Sequence, residues 1–348
     1  MKKQMYLDYA ASTPIDKRVL EAMMPYMRRH YGNPSSTHSF GQKTKAAIEQ
    51  AREQVAKFLH CKADEVIFTS GATEANSLAI HGVLKTINYP PSGDLPKGDK
   101  LQTERPHIVT TAIEHESVLE PCRTLEKEGL AEVTYVKPQK DGIVLVEDVK
   151  NAIRPNTVLV SVMYANSEIG TIQPIVEIGA LLAKYKIQDT RYLPRGKAGK
   201  ILFHTDAAQA AGYLDCDVEK LNVNLLTLSG HKIYGPKGVG VLYRREGVRV
   251  LPLLEGGGQE MGLRSGTENV AAIVGMGEAI QEIQNLPAGR QVQNIVIRQM
   301  RDKLIKMVLR RIPNSELTGS LERRLPNNAH FRFQGVEGRD IVIALDQK

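Results

Sequence analysis

The segment Ser-Gly-His-Lys-Ile-Tyr-Gly-Pro-Lys-Gly at residues 229–238 directly follows the apolar run Leu-Leu-Thr-Leu at 225–228. The run predicts a buried strand, and the segment after it places Lys232 in a turn of small and hydrogen-bonding residues. A lysine in such a turn suits a carbonyl cofactor that needs an amine nucleophile, and pyridoxal phosphate is the leading candidate. By itself, Lys232 would be better explained as one of 46 Lys and Arg residues, since most lysines are solvated in proteins; the segments that follow favour the cofactor.

A second segment, Thr-Ser-Gly-Ala-Thr-Glu-Ala-Asn at residues 69–76, supplies a candidate phosphate site. It follows a short apolar strand pattern and leads into a helical pattern. Backbone N–H groups at a helix N-terminus, together with the Thr73 hydroxyl, can cradle a phosphate. Taken alone, the segment also fits an ordinary capped turn between a strand and a helix.

A third segment, Ile-Leu-Phe-His-Thr-Asp-Ala-Ala-Gln-Ala at residues 201–210, ends an apolar strand pattern in an aspartate. A buried Asp206 is costly unless it is paired, and a protonated pyridinium nitrogen is a suitable partner. Gln209 follows closely enough to hydrogen-bond the phenolic oxygen of the ring. The alternative is that Asp206 caps a helix. The spacing to Lys232 leaves room for a crossover helix and a return strand.

Together these segments resemble the cysteine desulfurases of the class V aminotransferase superfamily, of the nitrogen-fixation and iron–sulfur-cluster type. The matching segments run in the family's order along nearly the whole chain: residues 6–14, 32–36, 69–74, 114–115, 166–170, 204–209, 229–238, 256–267 and 340–346. The resemblance implies the α/β fold of PLP-dependent transferases, fold type I. It places a mostly parallel, seven-stranded sheet in a large domain, 15–262, and a smaller, incomplete α+β domain in 1–14 and 263–348.

The resemblance also implies the roles of individual residues. Lys232 would hold the cofactor covalently and move the α proton of the substrate. His115 would stack on the ring and shuttle protons, although a histidine satisfied by neighbours at a strand end fits the sequence equally well. Asp206 and Gln209 would contact the ring nitrogen and the phenolic oxygen. Residues expected at the phosphate are Ala72, Thr73, Ser229, His231 and, from the neighbouring subunit of a homodimer, Thr267.

One departure from the family pattern concerns the ring contact at residues 166–167. This chain carries Asn166-Ser167 where family members usually have Asn-Asn. We keep both residues as cofactor-binding candidates, and we expect the contact from Ser167 to be shorter or bridged by water.

A second departure concerns the nucleophile. The family places a reactive cysteine on a loop beyond the Ala-Leu-Asp segment, which here is 344–346. We therefore expect a C-terminally truncated chain that binds the cofactor and does not complete sulfur transfer. Cys61, Cys122 and Cys216 fall in none of the matching segments and are not expected to substitute, since cysteines outside reactive sites are usually small buried apolar residues.

The activity implied is PLP-dependent conversion of L-cysteine to L-alanine. Sulfur would pass to a protein cysteine as a persulfide, for iron–sulfur cluster or thio-cofactor synthesis, and an iron–sulfur scaffold or another sulfur acceptor would be the partner. Two alternatives stay open. One is another class V enzyme, such as a selenocysteine lyase or an aminotransferase; the other is an inactive scaffold that binds the cofactor.

Composition agrees with a cytoplasmic enzyme. A chain of 348 residues can hold about two domains, and it contains no secretory pattern and no apolar run near the ~18 residues of a membrane span. The net charge of +7 comes from scattered basic residues, and with 5% aromatics it does not favour nucleic-acid binding. Three cysteines without metal-ligand spacing indicate no metal site and suit a reducing compartment.

The apolar patterns predict a series of elements. Strands are expected at 66–68, 108–110, 133–136, 158–163, 201–204, 225–228 and 240–243, with helices at 46–58, 117–128 and 175–184 among them. Residues 278–312 predict helical segments broken near 287–289, followed by strands at 329–333 and 341–345. Two segments, 88–106 and 188–200, are predicted to be exposed inserted loops.

Overall fold

The computed structural model describes residues 5–88, 105–185, 200–285 and 289–347. Among these residues one sheet has seven strands in the order β1-β7-β6-β5-β4-β2-β3. The strands are β1 Val66–Thr69, β2 His107–Thr111, β3 Glu132–Val136, β4 Thr157–Ser161, β5 Leu202–Asp206, β6 Leu225–Ser229 and β7 Gly240–Arg244. Neighbours from β6 to β3 pair in parallel, and β7 is antiparallel to both β6 and β1. The predicted mostly parallel sheet is confirmed.

Burial on both faces explains why the strands are continuous apolar runs rather than alternating patterns. Successive residues of a strand point to opposite faces of the sheet, so each strand contributes side chains to two hydrophobic cores, one on each face. Phe68, Val160 and Leu226 belong to one core, whereas the residues just before them, such as Ile67 and Leu159, belong to the other. All seven predicted strands in this part of the chain are found.

Helices cover the sheet. Their bounds are α1 Lys17–Arg28, α2 Ser39–Leu59, α3 Ala72–Asn88, α4 Glu116–Lys127, α5 Val146–Ala152, α6 Ile175–Leu182, α7 Val218–Leu221, α8 Val270–Gln284, α9 Gly289–Arg311 and α10 Gly338–Asp346. The predicted helices at 46–58, 117–128 and 175–184 correspond to α2, α4 and α6. Helices α1 and α2 both pack against α8, and α3 packs against α4.

The C-terminal part contains a small antiparallel pair, β8 Ser315–Leu317 and β9 Phe331–Phe333. The predicted strand at 329–333 is therefore confirmed in its second half, and the predicted helical stretch is divided between α8 and α9. The strand predicted at 341–345 is wrong, because these residues lie in α10. A short apolar run has no distinguishing period, and here the backbone N–H groups of Asp340 and Ile341 bond to the Glu337 carbonyl, which begins a helix.

The division into parts 15–262 and 1–14 with 263–348 stays a prediction. The predicted inserted loops, 88–106 and 188–200, lie mostly outside the described residues. Within the part of the chain that the structure describes, no helix has the length and apolar character needed to cross a bilayer.

Candidate active site

The candidate site lies at the edge of the sheet where β1, β5 and β6 end. Strand β1 runs in the direction of β6, since both are antiparallel to β7. Their last residues are therefore at one edge, which is where open α/β sheets bind ligands. A cavity of about 750 Å³ opens there, within the usual range for small-molecule sites.

Most of the predicted site residues line this cavity: Ala72, Thr73, His115, Ser167, Asp206, Gln209, Ser229, His231 and Lys232. Two do not. Asn166 is buried, and its Oδ1 accepts the N–H groups of Glu168 and Ile169, so it shapes the loop that carries Ser167. Thr267 is exposed and lies outside this cavity, and its assignment to a neighbouring subunit stays a prediction.

Asp206 is the last residue of β5 and is buried at the cavity. Its Oδ1 accepts the N–H of Ala208 at 2.9 Å, and its Oδ2 accepts from Nδ2 of Asn76 at 2.7 Å. Burial raises the pKa of Asp206, while these hydrogen bonds and the nearby positive charge of Lys232 oppose the shift. A carboxylate held in this way is suited to a cationic nitrogen, as the sequence predicts.

Lys232 ends a single 3₁₀ turn, Gly230–Lys232, that directly follows β6. Its Nζ donates to the carbonyl oxygens of Ala10 at 2.6 Å and Ala11 at 2.9 Å. Burial lowers the pKa of Lys232, against the opposing effect of carboxylates led by Asp206. A lowered pKa increases the fraction of neutral amine, which is the form that attacks a carbonyl.

The segment before α1 forms part of the cavity wall, with Asp8 and residues 10–12 among its lining. Thr13 secures this segment to the lysine turn. Its N–H and its hydroxyl each donate to the His231 carbonyl at 2.9 Å, and its Oγ1 accepts the N–H of Tyr234 at 2.8 Å. Gln209 also holds the segment, by donating to the Ala10 carbonyl at 2.9 Å. The sequence indicated a family match at 6–14 but no role in the site.

The end of β1 and the start of α3 form the candidate phosphate cradle. Helix α3 begins at Ala72, so its first N–H groups have no partners inside the helix. Gly240 lies against this turn, because a Cβ there would stand only 2.5 Å from the carbonyl carbon of Gly71. Ser229 Oγ lies 3.1 Å from His231 Nδ1 at the same cavity. An anion cradle, a buried carboxylate and an amine in one cavity are the donor set that pyridoxal phosphate requires.

His115 caps α4 and lines the cavity. Its Nδ1 accepts the N–H of Ser117 at 3.1 Å and lies 2.8 Å from Ser117 Oγ. The sequence did not assign a role to Ser117 or to the buried Asn76, although Asn76 stands three residues after Thr73 and hence one helical turn along α3.

None of the three cysteines of the sequence lines the cavity. Burial raises the pKa of the Cys61 thiol and of the Cys122 thiol, each to about 12. Thiols with a pKa this high carry almost no thiolate at neutral pH and are poor nucleophiles. This agrees with the expectation that these cysteines do not replace the family's reactive one.

Comparison with known proteins supports the same interpretation. The aminotransferase class-V family profile matches residues 5–348. The chain is 45% identical over 346 residues to the cysteine desulfurase IscS of Dictyoglomus turgidum, an alignment that covers 99% of this chain and 80% of the relative. A solved NifS-like protein superposes with a TM-score of 0.86 at 34% identity, covering 99% of this chain and 86% of its own. The structure of SspA in complex with cysteine has a TM-score of 0.79 at 36% identity, with 99% and 87% covered.

Proposed function

The chain belongs to the class V aminotransferase family and, within it, to the cysteine desulfurases, and from this premise we propose that it takes sulfur from L-cysteine and leaves L-alanine. In this reaction the C–S bond breaks, and the sulfur passes to an acceptor thiol as a persulfide. The observation that supports the proposal is the single cavity shared by Lys232, Asp206 and His115. Pyridoxal phosphate, the cofactor of this family, supplies an electron-withdrawing ring that stabilises negative charge on the substrate's α carbon.

The other functions of the site belong to side chains and backbone groups that line the cavity. Lys232 is a nucleophile that attaches the cofactor, and its neutral amine can then take the α proton. Asp206 provides fixed negative charge for the ring nitrogen, which keeps the ring cationic. The start of α3, with Thr73, Ser229 and His231, orients the phosphate. His115 moves protons within the cavity.

We also propose that the protein is a homodimer in which Thr267 serves the phosphate site of the partner subunit. Exposed apolar side chains lie close in sequence to two segments, 34–35 and 257–261: Tyr31, Phe40, Leu254 and Met261. Residues 34–35 and 257–261 line a common cavity of about 510 Å³ on this side. Apolar surface of this kind marks interaction sites.

Mixing two defective variants tests the dimer. A heterodimer of Lys232→Ala and Thr267→Ala subunits contains one intact site only if Thr267 acts across the interface. We expect the heterodimer to regain cofactor binding at one of its two sites. No recovery in a verified heterodimer would show that Thr267 does not act in the partner.

For the sulfur acceptor we propose an iron–sulfur scaffold or a related sulfur-carrying protein. A cytoplasmic location is proposed as well, because three cysteines without metal-like spacing favour a reducing compartment.

Covalent attachment tests the cofactor assignment. The purified protein loaded with pyridoxal phosphate should be yellow, and borohydride reduction should fix the cofactor on Lys232. Lys232→Ala should abolish this attachment, whereas the control Lys237→Ala, at the same cavity, should retain it. Peptide mapping locates the label, and a label on Lys237 in the parent protein would contradict the assignment.

Substrate turnover tests the reaction class. Exchange of the α proton of L-cysteine with deuterated solvent needs only the cofactor site, and formation of alanine and sulfide with an added small thiol reports on C–S cleavage. We expect exchange well above that of free cofactor, and release of alanine only when the added thiol is present as the sulfur acceptor. A preference for L-selenocysteine, or transfer of the amino group to an added keto acid, would instead identify another class V enzyme. Bound cofactor without exchange would identify an inactive scaffold.

A further inference from the structure

A chain of hydrogen bonds connects Asp206 with His115. Nδ2 of Asn76 donates to Asp206 Oδ2 at 2.7 Å and to Ser117 Oγ at 2.8 Å. Ser117 Oγ in turn lies 2.8 Å from Nδ1 of His115. Asn76 is fully buried, and Ser117 and Asp206 are exposed by only 6% and 7%. Water therefore does not compete for these bonds. The amide nitrogen of Asn76 is paired twice within this network, whereas its Oδ1 is buried without a partner among the described residues.

In the proposed function Asp206 is ionised, and its charge then sets the direction of the first two bonds. An ionised carboxylate can only accept hydrogen bonds, so the Asn76 atom beside it must be the amide nitrogen. With the amide turned over, its oxygen would face the carboxylate at the same 2.7 Å and repel it. The amide nitrogen has a second hydrogen, and this one is donated to Ser117 Oγ.

At the histidine end of this network, two groups of Ser117 contact Nδ1 of His115: the backbone N–H and the hydroxyl. The backbone N–H of Ser117 donates to His115 Nδ1 at 3.1 Å, which is the capping bond at the start of α4. Nδ1 is therefore an acceptor and carries no proton in the neutral ring. Because Ser117 Oγ accepts from Asn76, its own hydrogen is available for Nδ1 as well. The proton of the neutral imidazole must then be on Nε2.

We propose that Asn76 and Ser117 are positioning residues that hold His115 as its Nε2–H tautomer and link that tautomer to the charge on Asp206. The inference rests on the proposed function, in which His115 moves protons in the cavity. Held in this way, neutral His115 offers a proton at Nε2 and cannot act as a base through that nitrogen. Asp206, which balances the charge of the cofactor ring, would thereby also influence which nitrogen of His115 carries the proton.

The tautomer can be measured directly in the cofactor-loaded protein by ¹⁵N NMR with labelled histidine, and His115→Gln identifies the signals of His115. In the parent we expect Nδ1 to resonate as an unprotonated nitrogen and Nε2 as a protonated one. Ser117→Ala retains the capping N–H at 3.1 Å but loses the shorter contact of 2.8 Å with the hydroxyl. The preference for an unprotonated Nδ1 is then weaker, and the Nδ1–H tautomer should become populated beside the parent's. The rate of α-proton exchange of bound L-cysteine should fall by roughly two- to tenfold, the effect of one hydrogen bond, with cofactor affinity unchanged.

Two control variants separate positioning from general damage. Ser117→Thr retains the hydroxyl and should retain the parent's tautomer. Ser161→Ala removes another buried bond between a serine and a histidine, Ser161 Oγ to His204 Nδ1 at 2.8 Å, which lies outside the cavity. It should leave the His115 signals unchanged.

A proton on Nδ1 of His115 in the parent would overturn the proposal. So would a Ser117→Ala protein with the parent's tautomer, or a Ser161→Ala protein that shifts His115 as strongly as Ser117→Ala does. The tautomer is read without substrate. A protein that binds pyridoxal phosphate but does not act on L-cysteine would therefore contradict the proposed function and leave this measurement interpretable.

Discussion

Glu114, the residue before His115, is expected to make the folded protein less stable as the pH rises through neutrality. Its side chain is buried. Oε1 accepts from the Thr111 hydroxyl at 2.7 Å and from the Met163 N–H at 2.8 Å, whereas Oε2 is buried without a hydrogen-bond partner among the described residues. Burial raises the pKa of Glu114 from 4.5 to about 8, and the charge of Asp206 adds to the shift. The carboxyl group is therefore protonated in the fold at neutral pH.

The size of the effect follows from proton linkage. Between pH 4.5 and about 8 the folded protein retains a proton on Glu114 that the unfolded chain releases. The free energy of unfolding therefore falls as the pH rises, by at most about 1.4 kcal/mol per pH unit, and the loss levels off above the pKa of the folded protein. Over the whole window this amounts to several kcal/mol. Glu114→Gln removes the titration and retains an acceptor oxygen for Thr111 and Met163.

Urea unfolding of the parent and of Glu114→Gln, at four pH values between about 5 and 8 and at fixed protein and cofactor concentrations, measures the difference. We expect the variant to gain stability relative to the parent as the pH rises. Glu53→Gln, on the exposed face of α2, is the control and should follow the parent at every pH. If the curves for the parent and Glu114→Gln are parallel, Glu114 is ionised in the folded protein, and the argument from burial is wrong.

Two other changes have defined outcomes. Asp206→Asn should retain the fold but slow α-proton exchange of L-cysteine by roughly 10²-fold, the scale of removing a well-placed electrostatic group; an unchanged exchange rate would refute its role at the ring nitrogen. Arg52→Met should lower the free energy of unfolding by about 3–5 kcal/mol, because the Glu260 carboxylate, held at 2.8 Å by both Nη atoms of Arg52, would remain buried without its guanidinium. Urea unfolding checks this, and the double variant with Glu260→Gln should cost less than the sum of the two single changes.

The sequence alone was sufficient for the seven strands of the large sheet and for most of the polar residues that line the cavity. Residues buried on both faces of a sheet must be continuously apolar, so β1, β5 and β6 could be located from composition. Polar residues at the ends of such runs, Asp206 and Lys232, could then be assigned to one edge, because parallel strands bring their carboxyl ends together. The order of the motifs along the chain then indicated the protein family.

Tertiary structure decided what depends on contacts between distant segments. Residues 341–345 are as apolar and β-branched as a strand, yet they lie in α10, which begins at Gly338, because local pattern does not decide between the two in so short a run. Similarly, no local signal shows that Ala10 and Ala11 meet Lys232, since their contribution is made by backbone carbonyls, which every residue possesses. The link from Asp206 through Asn76 and Ser117 to His115 joins β5, α3 and the start of α4. It exists only because the sheet order and the packing of α3 against α4 bring these side chains within hydrogen-bond distance.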